Sequence, residues 1–415
     1  MTISEKMSTL CSGAKAAYRS IASAKTKKKN DILLTLAKKI NEKRAEVLSA
    51  NAQDVEKAAE NGVPKTMIDR LTLSNERIDS LCDSLHEIVK LSDPCGSGDC
   101  YDRPSGISIK HVRVPIGVIG IIYEARPNVT VDAAALCIKT GNACILKGGK
   151  EAINTNIALA TLIREALEEN GIDKNACSLI DITDREATNI LLTMKDYIDL
   201  LIPRGGKGLI KFVKENARMP IIETGAGNCH VYIDDSANIT DAVNVTVNAK
   251  CQRPSVCNAA ETLLVHSSVA NEFLPAFVEA TRTFSLELRG CERTAKIINC
   301  LPASDEDFFT EYNDYIMSVK IVDSVDEAIE HINKHSTNHS EAIMTASIEN
   351  AEKFTSLVDS AAVYVNASTR FTDGGEFGFG AEIGISTQKL HARGPMGLLA
   401  LTSEKYIVTG NGTVR

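Results

Sequence analysis

The chain has 415 residues, a formal net charge of -8 at pH 7 and a sequence pI near 5.6. This length exceeds what one ordinary hydrophobic core organises, so we expect two domains. The acidic balance argues against a nucleic-acid or membrane-surface partner. No apolar run approaches the roughly 18 residues of a membrane helix, and the N-terminus lacks a hydrophobic signal segment. We therefore predict a soluble cytoplasmic protein.

The cysteines and histidines predict no metal site. The 12 cysteines are scattered rather than arranged as a disulfide framework, so we expect reduced thiols. Cys95 and Cys100 have no second pair near them, which argues against zinc. His331, His335 and His339 recur every four residues, but the polar residues after His335 predict that a helix ends there. We interpret these three histidines as solvated surface residues.

The N-terminal hundred residues predict helices. The apolar positions between Ile32 and Ile40 fall on one helix face, Asn30-Asp31 is a candidate cap, and Gly62 ends the charged continuation. Residues 95–100 contain two glycines and predict a loop. Residues 107–114 alternate apolar and polar side chains, which predicts a half-buried strand.

From Val114 onward, short apolar runs alternate with helical segments. The runs that predict strands are 118–122, 143–146, 178–182 and 198–202, and the segments that predict helices are 129–139, 151–170, 184–196 and 206–217. This alternation indicates a parallel sheet covered on both faces, with a ligand crevice at the carboxyl ends of its strands. Later runs predict a second α/β domain and a final strand: 230–233, 261–265, 319–322, 361–365 and 405–409.

Two glycine-rich turns follow strands of the first predicted sheet. One is Lys147-Gly148-Gly149-Lys150, and the other runs from Pro203 to Gly208 and contains Gly205 and Gly206. Bare backbone N–H groups and lysines at a helix N-terminus favour phosphate. Neither turn is the G-x-G-x-x-G fingerprint, and a glycine-rich turn without a ligand is the alternative. Two such turns in one sheet favour a nucleotide.

The stretch from Glu223 to Asn258 holds the candidate chemistry. Cys257 lies in a polar, proline-interrupted segment that suits a loop, and the nearby Arg253 favours its thiolate, the form that attacks a carbonyl. The alternative is a buried thiol that fills space. Cys251 is the rival nucleophile, and spacing alone does not separate the two.

Two sets of segments resemble a known family. The first set resembles the aldehyde dehydrogenase superfamily and comprises Val114–Gly120, Thr140–Lys147, Glu223–Gly227 and Cys257. The second set closely resembles one family within that superfamily, the gamma-glutamyl phosphate reductases, and comprises Tyr123–Ala133, Gln252–Ala259, Tyr364–Gly375 and Gln388–Met396.

The resemblance implies an aldehyde dehydrogenase-like α/β fold, with two Rossmann-type domains built on parallel sheets and a small β oligomerisation hairpin. Residues 1–228 would bind NADP, with 101–114 contributing to the hairpin. Residues 229–365 would form the catalytic domain carrying Cys257, and 366–415 would return to the cofactor domain and the hairpin. A homo-oligomer is expected on the same basis.

The implied activity is NADPH-dependent reduction of L-glutamyl 5-phosphate to L-glutamate 5-semialdehyde and phosphate, in proline biosynthesis. Cys257 matches the catalytic cysteine, which forms a thioester. Asn128 matches the asparagine that shares the oxyanion hole with the backbone N–H of Cys257. Glu223 matches a glutamate that activates water in oxidative members; here its role stays open between proton shuttle, ammonium contact and structural residue. The resemblance also implies a functional association with glutamate 5-kinase.

The same resemblance assigns a binding residue: Lys147 lies where the superfamily contacts the adenine-side ribose. The two glycine-rich turns add Gly148, Gly149, Gly205 and Gly206 as candidate cofactor-binding residues. Lys150 stands where members that prefer NAD place an acid, and a cation there favours a 2′-phosphate, so we predict NADPH/NADP+.

Four arginines lie in the family-specific segments and are candidates for the substrate's phosphate and carboxylate: Arg126, Arg253, Arg370 and Arg393. For each of them, an ordinary salt bridge is the alternative. The glycine-rich segment 372–380 is a candidate closing loop near the nicotinamide.

Two other functions compete with the reductase. One is an NAD(P)-dependent aldehyde dehydrogenase that oxidises another small aldehyde, against which Lys150 and the segment 252–257 argue. The other is a non-catalytic scaffold, against which the presence of Cys257 argues.

Overall fold

The computed structural model describes residues 1–124 and 126–415, apart from the side chains of Lys65 and Thr66. The chain divides into two units. Unit 1 comprises residues 1–224, 378–384 and 396–415, and unit 2 comprises residues 225–377 and 385–395.

The helices and strands are as follows in chain order. The helices are α1 Ile3–Ala22, α2 Thr26–Glu42, α3 Arg44–Glu60, α4 Lys65–Leu71, α5 Asn75–Lys90, α6 Pro127–Lys139, α7 Ile153–Glu169, α8 Arg185–Leu191, α9 Lys207–Asn216, α10 Ile239–Cys251, α11 Ala270–Thr281, α12 Glu292–Ala295, α13 Val325–His335 and α14 Ile348–Leu357. The strands are β1 Gly98–Asp102, β2 Ser108–Pro115, β3 Val118–Tyr123, β4 Ala143–Lys147, β5 Cys177–Leu179, β6 Leu200–Arg204, β7 Cys229–Ile233, β8 Ala260–His266, β9 Glu287–Gly290, β10 Leu301–Pro302, β11 Ile316–Val322, β12 Ser340–Met344, β13 Ala362–Val365, β14 Ile385–Ser386, β15 Gly394–Pro395 and β16 Thr402–Thr409. Within the described residues, no helix is both long enough and apolar enough to cross a bilayer.

Unit 1 contains a four-stranded parallel sheet in the order β5-β4-β3-β6. Every residue of β3 and β4 is buried, as expected for central strands whose sequences are nearly continuous apolar runs. α6 is also buried over almost its whole length. The turns that follow β4 and β6 therefore lie at the same, carboxyl edge of this sheet.

A second, antiparallel sheet of unit 1 has the order β1-β2-β16. β16 pairs with β2 from Thr402–Pro115 to Thr409–Ser108, so the final strand predicted at 405–409 lies beside the strand predicted at 107–114. The prediction of a loop at 95–100 is wrong for residues 98–100, which belong to β1. β1 is exposed along its whole length and is held by backbone pairing to β2, so its sequence carries no apolar alternation.

Unit 2 contains a seven-stranded parallel sheet in the order β10-β9-β11-β8-β7-β12-β13. Successive residues of a strand point to opposite faces, so Val231 and Ile233 pack with Phe273 on one face while Tyr232 packs with Phe354 on the other. Both faces are buried by helices. The parallel sheets of the two units and the small antiparallel sheet of unit 1 confirm the predicted α/β class.

The boundaries of α2 and the nature of the histidine repeat differ from the sequence predictions. α2 begins at Thr26, so Asn30-Asp31 lies inside the helix rather than at its cap. α13 does end at His335, as predicted, but the interpretation of His331, His335 and His339 as solvated residues is wrong, because all three are buried. Burial lowers the pKa of His331 to about 2 and that of His339 to about 4, so both are neutral near pH 7.

Candidate active site

Cys257 lies on the loop that joins α10 to β8 in unit 2. α10 ends at Cys251, β8 begins at Ala260, and Cys257 is half-buried between them. Its backbone carbonyl accepts a hydrogen bond from the thiol of Cys229 at 3.2 Å. A side chain at Gly227 would overlap that carbonyl oxygen, so the glycine-rich segment before β7 packs directly against the backbone of Cys257. Cys229 and Gly227, both in unit 2, therefore hold the backbone of this loop in place.

The rival thiol, Cys251, has a different environment. It is the last residue of α10 and is 2% exposed. Burial raises the pKa of Cys251 to about 11, which keeps the thiol protonated near neutral pH. A buried, protonated thiol is a poor nucleophile, so the geometry favours Cys257 over Cys251.

Two of the predicted arginines share the surroundings of Cys257. Arg370 donates from its Nε to the side-chain oxygen of Gln252 at 3.0 Å, and its guanidinium also hydrogen-bonds the side-chain oxygen of Asn258. Burial and the neighbouring Arg253 lower the pKa of Arg370, while the thiolate of Cys257 acts in the opposite direction. Two guanidiniums that repel each other beside a thiol form a cationic site suited to an anion.

The two other predicted arginines have other contacts. Arg393 donates to the carboxylate of Asp359 at 2.7 Å, and Lys389 pairs with the same carboxylate. These hydrogen bonds hold the pKa of Asp359 below its ordinary value. Arg126 is exposed and precedes the first turn of α6 in unit 1. Arg393 therefore forms an ordinary salt bridge with Asp359, which was the alternative to substrate binding.

The predicted Asn128 and Glu223 both belong to unit 1 and both have carboxylate or ammonium partners there. Asn128, in the first turn of α6, donates its side-chain amide to Asp132 at 3.1 Å, and burial raises the pKa of Asp132 to about 6. Glu223 pairs with Lys214 of α9 at 2.9 Å. This ion pair supports the structural alternative for Glu223.

The turn from Lys147 to Lys150 separates β4 from α7. Lys147 is buried and its ammonium donates to the Gly148 carbonyl at 3.3 Å; burial lowers the pKa of Lys147. A side chain at Gly148 would overlap the amide of Asn156, so this turn requires glycine. Lys150 is exposed at the start of a short 3-10 turn, where its ammonium is open to a phosphate. These features fit a dinucleotide.

The helices after both glycine-rich turns begin with backbone N–H groups that donate to carboxylates from other elements. At α7, the N–H groups of Asn154 and Thr155 donate to Asp54 of α3 at 3.2 and 2.8 Å. At α9, the N–H of Gly206 donates to Glu124 at 2.8 Å. Asp54 is 2% exposed, whereas Glu124 is exposed.

Comparisons with known proteins identify the family of this chain. The model of the aldehyde dehydrogenase family matches residues 3–297. The chain is 54% identical over 404 residues to the gamma-glutamyl phosphate reductase of Clostridium perfringens, with 97% of each chain covered. It is 52% identical over 413 residues to that of Carboxydothermus hydrogenoformans, with 99% of this chain and 100% of the other covered. The crystal structure of gamma-glutamyl phosphate reductase from Thermotoga maritima matches with a TM-score of 0.96 and 50% identity, covering 99% of each chain.

The chain belongs to the aldehyde dehydrogenase family, among its gamma-glutamyl phosphate reductases. Family membership confirms the predicted aldehyde dehydrogenase-like fold. The chain is therefore an oxidoreductase, and membership of the aldehyde dehydrogenase family supports a nicotinamide cofactor.

Sequence reasoning assigned no role to several residues near Cys257 in unit 2 or at the N-terminus of α9 in unit 1. The side-chain oxygen of Asn258 accepts a hydrogen bond from Arg370, and its amide donates to the Thr372 carbonyl at 3.0 Å. Gly227 packs against the backbone carbonyl of Cys257. Glu124 occupies the N-terminus of α9. Asn258 follows Cys257 directly, so its position was the available signal; the contact of Glu124 joins residues 82 positions apart and leaves no local pattern.

Proposed function

We propose that this chain reduces L-glutamyl 5-phosphate to L-glutamate 5-semialdehyde and phosphate with NADPH, as a step of proline biosynthesis. The names of the relatives that are 52–54% identical support the substrate. The observation that carries the proposal is the half-buried Cys257 on a loop shared with Arg253 and close enough to Arg370 to act on its pKa. An acyl phosphate needs both a nucleophile for its carbonyl and cations for its leaving phosphate.

The side chains of unit 2 divide this work. The thiolate of Cys257 attacks the acyl carbon, the C–O bond to phosphate breaks, and a thioester remains on the cysteine. The guanidiniums of Arg253 and Arg370 neutralise the departing phosphate. The nicotinamide, when bound, supplies the hydride that converts the thioester to a thiohemiacetal. Collapse of the thiohemiacetal breaks its C–S bond, which frees the aldehyde and restores the thiolate of Cys257.

The remaining assignments are proposals that rest on the family resemblance. Asn128 would donate its amide, with the backbone N–H of Cys257, to the oxyanion of the reacting carbonyl. That amide donates one N–H to the carboxylate of Asp132, so the other N–H is the one proposed for the oxyanion. Glu223 is proposed as a structural residue, since it pairs with Lys214. Arg126 and Arg393 are proposed to contact the substrate's phosphate or carboxylate, for which Arg393 would exchange its bond to Asp359.

The cofactor is proposed to be NADPH rather than NADH. Lys150 is an exposed cation three residues beyond the buried Lys147, the last residue of β4, and a cation favours a 2′-phosphate where an acid would repel it. Gly148, Gly149, Gly205 and Gly206 are proposed to let the cofactor approach the backbone. The division into a cofactor domain at 1–228, a catalytic domain at 229–365 and a returning segment at 366–415 stays a prediction, as do the homo-oligomer, the association with glutamate 5-kinase and the cytoplasmic location.

The decisive experiment follows the reverse reaction, oxidation of glutamate 5-semialdehyde, with NADP+ or NAD+ and with or without inorganic phosphate. We expect turnover to require phosphate and to be faster with NADP+. Cys257→Ser should lower kcat by at least about a thousandfold because an alcohol is not ionised near neutral pH. Cys251→Ser is the matched control and should keep most of the activity, since that thiol is buried and protonated.

Turnover without phosphate would favour the oxidative aldehyde dehydrogenase instead. Full activity of Cys257→Ser would contradict the thioester mechanism, whichever substrate is used.

A further inference from the structure

Two buried charges lie at the two ends of the loop that carries Cys257. Lys250 is the penultimate residue of α10, and Glu261 is the second residue of β8. The ammonium of Lys250 donates to the carboxylate of Glu261 at 2.5 Å, and both side chains are 0% exposed. The pair therefore joins the helix that enters residues 252–259 to the strand that leaves them.

The surroundings of the pair lead to the backbone of the nucleophile. The second oxygen of Glu261 accepts the backbone N–H of Asn313 at 3.2 Å. Two residues earlier, Glu311 accepts the backbone N–H of Gly227 at 2.7 Å. Gly227 packs against the carbonyl of Cys257 so closely that it has no room for a side chain. The segment 311–313 thus connects the pair to the support beneath Cys257.

Burial makes this pair a costly way to gain stability. Removing two charges from water opposes folding, and a buried ion pair is often no more stable than apolar residues of the same size. Burial raises the pKa of Glu261 to about 7, against the opposing effect of Lys250. Each end of the loop carries one charged side chain whose removal from water opposes folding. Such a pair is better explained by the loop geometry that it imposes than by its contribution to stability.

We propose that the Lys250–Glu261 pair is a positioning element that fixes the loop 252–259, and with it the sulfur of Cys257, beside Arg253 and Arg370. The pair touches neither substrate nor cofactor and acts through the backbone of the loop. The inference rests on the proposed function for the identity of the nucleophile.

The test uses the full chain with the double substitution Lys250→Met and Glu261→Gln, which removes both charges and leaves no unpaired one. Two quantities are measured: kcat and KM of the phosphate-dependent oxidation, and the pH dependence of alkylation of Cys257 by iodoacetamide, read by mass spectrometry of its peptide. We expect kcat to fall about tenfold with KM changed less than about twofold, because a displaced nucleophile loses attack geometry. The alkylation midpoint should rise by roughly half a pH unit, because the sulfur moves away from the guanidiniums.

A matched control separates positioning from stability. Lys29 and Asp93 form another nearly buried pair at 2.9 Å, in unit 1. Lys29→Met with Asp93→Asn removes both charges in the same way and should leave the Cys257 alkylation profile unchanged, whatever its effect on the midpoint of thermal unfolding. If the 250/261 double variant loses only thermal stability, the pair is merely structural and the proposal is overturned.

Two further variants keep the test decisive if the double variant is insoluble. Glu261→Asp keeps the charge but shortens the side chain by one carbon, and should slow alkylation about threefold by shifting the loop. Lys250→Arg keeps the charge and the reach, and should retain most of the wild-type rate. Wild-type rates in Glu261→Asp would overturn the proposal. The alkylation readout requires no substrate, so it tests the positioning role even where the assigned reaction fails.

Discussion

The N-termini of α7 and α9 differ in how their backbone N–H groups are satisfied. At α7, the buried Asp54 accepts two backbone N–H groups and also the hydroxyl of Thr155 at 2.6 Å. At α9, the exposed Glu124 accepts the N–H of Gly206. A buried carboxylate that satisfies several donors is a fixed part of the fold. An exposed carboxylate with water nearby is exchangeable for another anion.

A glycine-rich turn before a helix is therefore not by itself a phosphate site. In the proposed cofactor site, the turn 147–150 contributes the side chain of Lys150, because the first N–H groups of α7 already donate to Asp54. The turn at Gly205 and Gly206 offers backbone N–H groups, provided that Glu124 moves aside. We propose that the cofactor's pyrophosphate takes the place of Glu124 at α9, while the 2′-phosphate meets Lys150.

The largest effect is expected from Asp54→Ala. The substitution removes the carboxylate that accepts the N–H groups of the half-buried Asn154 and the buried Thr155, and we expect the free energy of unfolding to fall by about 3 kcal/mol. Urea denaturation measures the change. Glu124→Gln is the control and should change it by less than about 0.5 kcal/mol, because the group is exposed. An equal loss of unfolding free energy in the two variants would show that the carboxylates at the N-termini of α7 and α9 do not differ in their contribution to the fold.

A smaller effect is expected from Lys150→Glu. An acid in place of the exposed ammonium repels the 2′-phosphate, so the Kd for NADP+ should rise about twentyfold, equivalent to about 1.8 kcal/mol, with little change for NAD+. Titration calorimetry with both dinucleotides gives the ratio. Lys211→Glu, on the exposed face of α9, is the charge-matched control. An equal loss of NADP+ and NAD+ affinity would show that Lys150 does not read the 2′-phosphate.

The smallest effect is expected from Glu124→Gln on cofactor affinity. Without its negative charge the side chain competes less well for the N–H of Gly206, so the Kd for NADP+ should fall about threefold. Asp184→Asn is the matched control, since Asp184 caps α8 by accepting the N–H of Glu186 at 2.8 Å and is exposed. Weaker binding in Glu124→Gln would mean that the carboxylate assists the cofactor rather than competing with it.

The central strands of unit 1 were predictable from sequence, and other elements were not, for physical reasons. β3 and β4 are buried on both faces, so their apolar runs identify them. β12 was missed because its sequence carries Glu341, which is fully buried and accepts the backbone N–H of His230 at 2.7 Å. A charged residue in a strand becomes acceptable through a partner that lies far away in the chain, and no local pattern records that partner.

The candidate site was predictable to the same extent. The motif around Cys257 indicates the nucleophile, but its separation from Cys251 depends on burial that only the structure provides. Asp54 and Thr155 are 101 positions apart, and Glu124 and Gly206 are 82 apart. The sequence therefore indicates which turns are rich in glycine, and it does not indicate which of their donors are already taken.

The buried histidines of unit 2 set a limit on how acid assays of this enzyme are interpreted. His331 and His339 are neutral in the folded chain, and burial keeps the pKa of each below the ordinary histidine value of about 6.5. The unfolded chain takes up protons at these residues as the pH falls below that value, so acid favours unfolding, and stability is complete only above it. A loss of turnover between pH 6 and pH 4 is therefore assigned to a catalytic proton only after far-ultraviolet circular dichroism at the same pH has shown an intact fold.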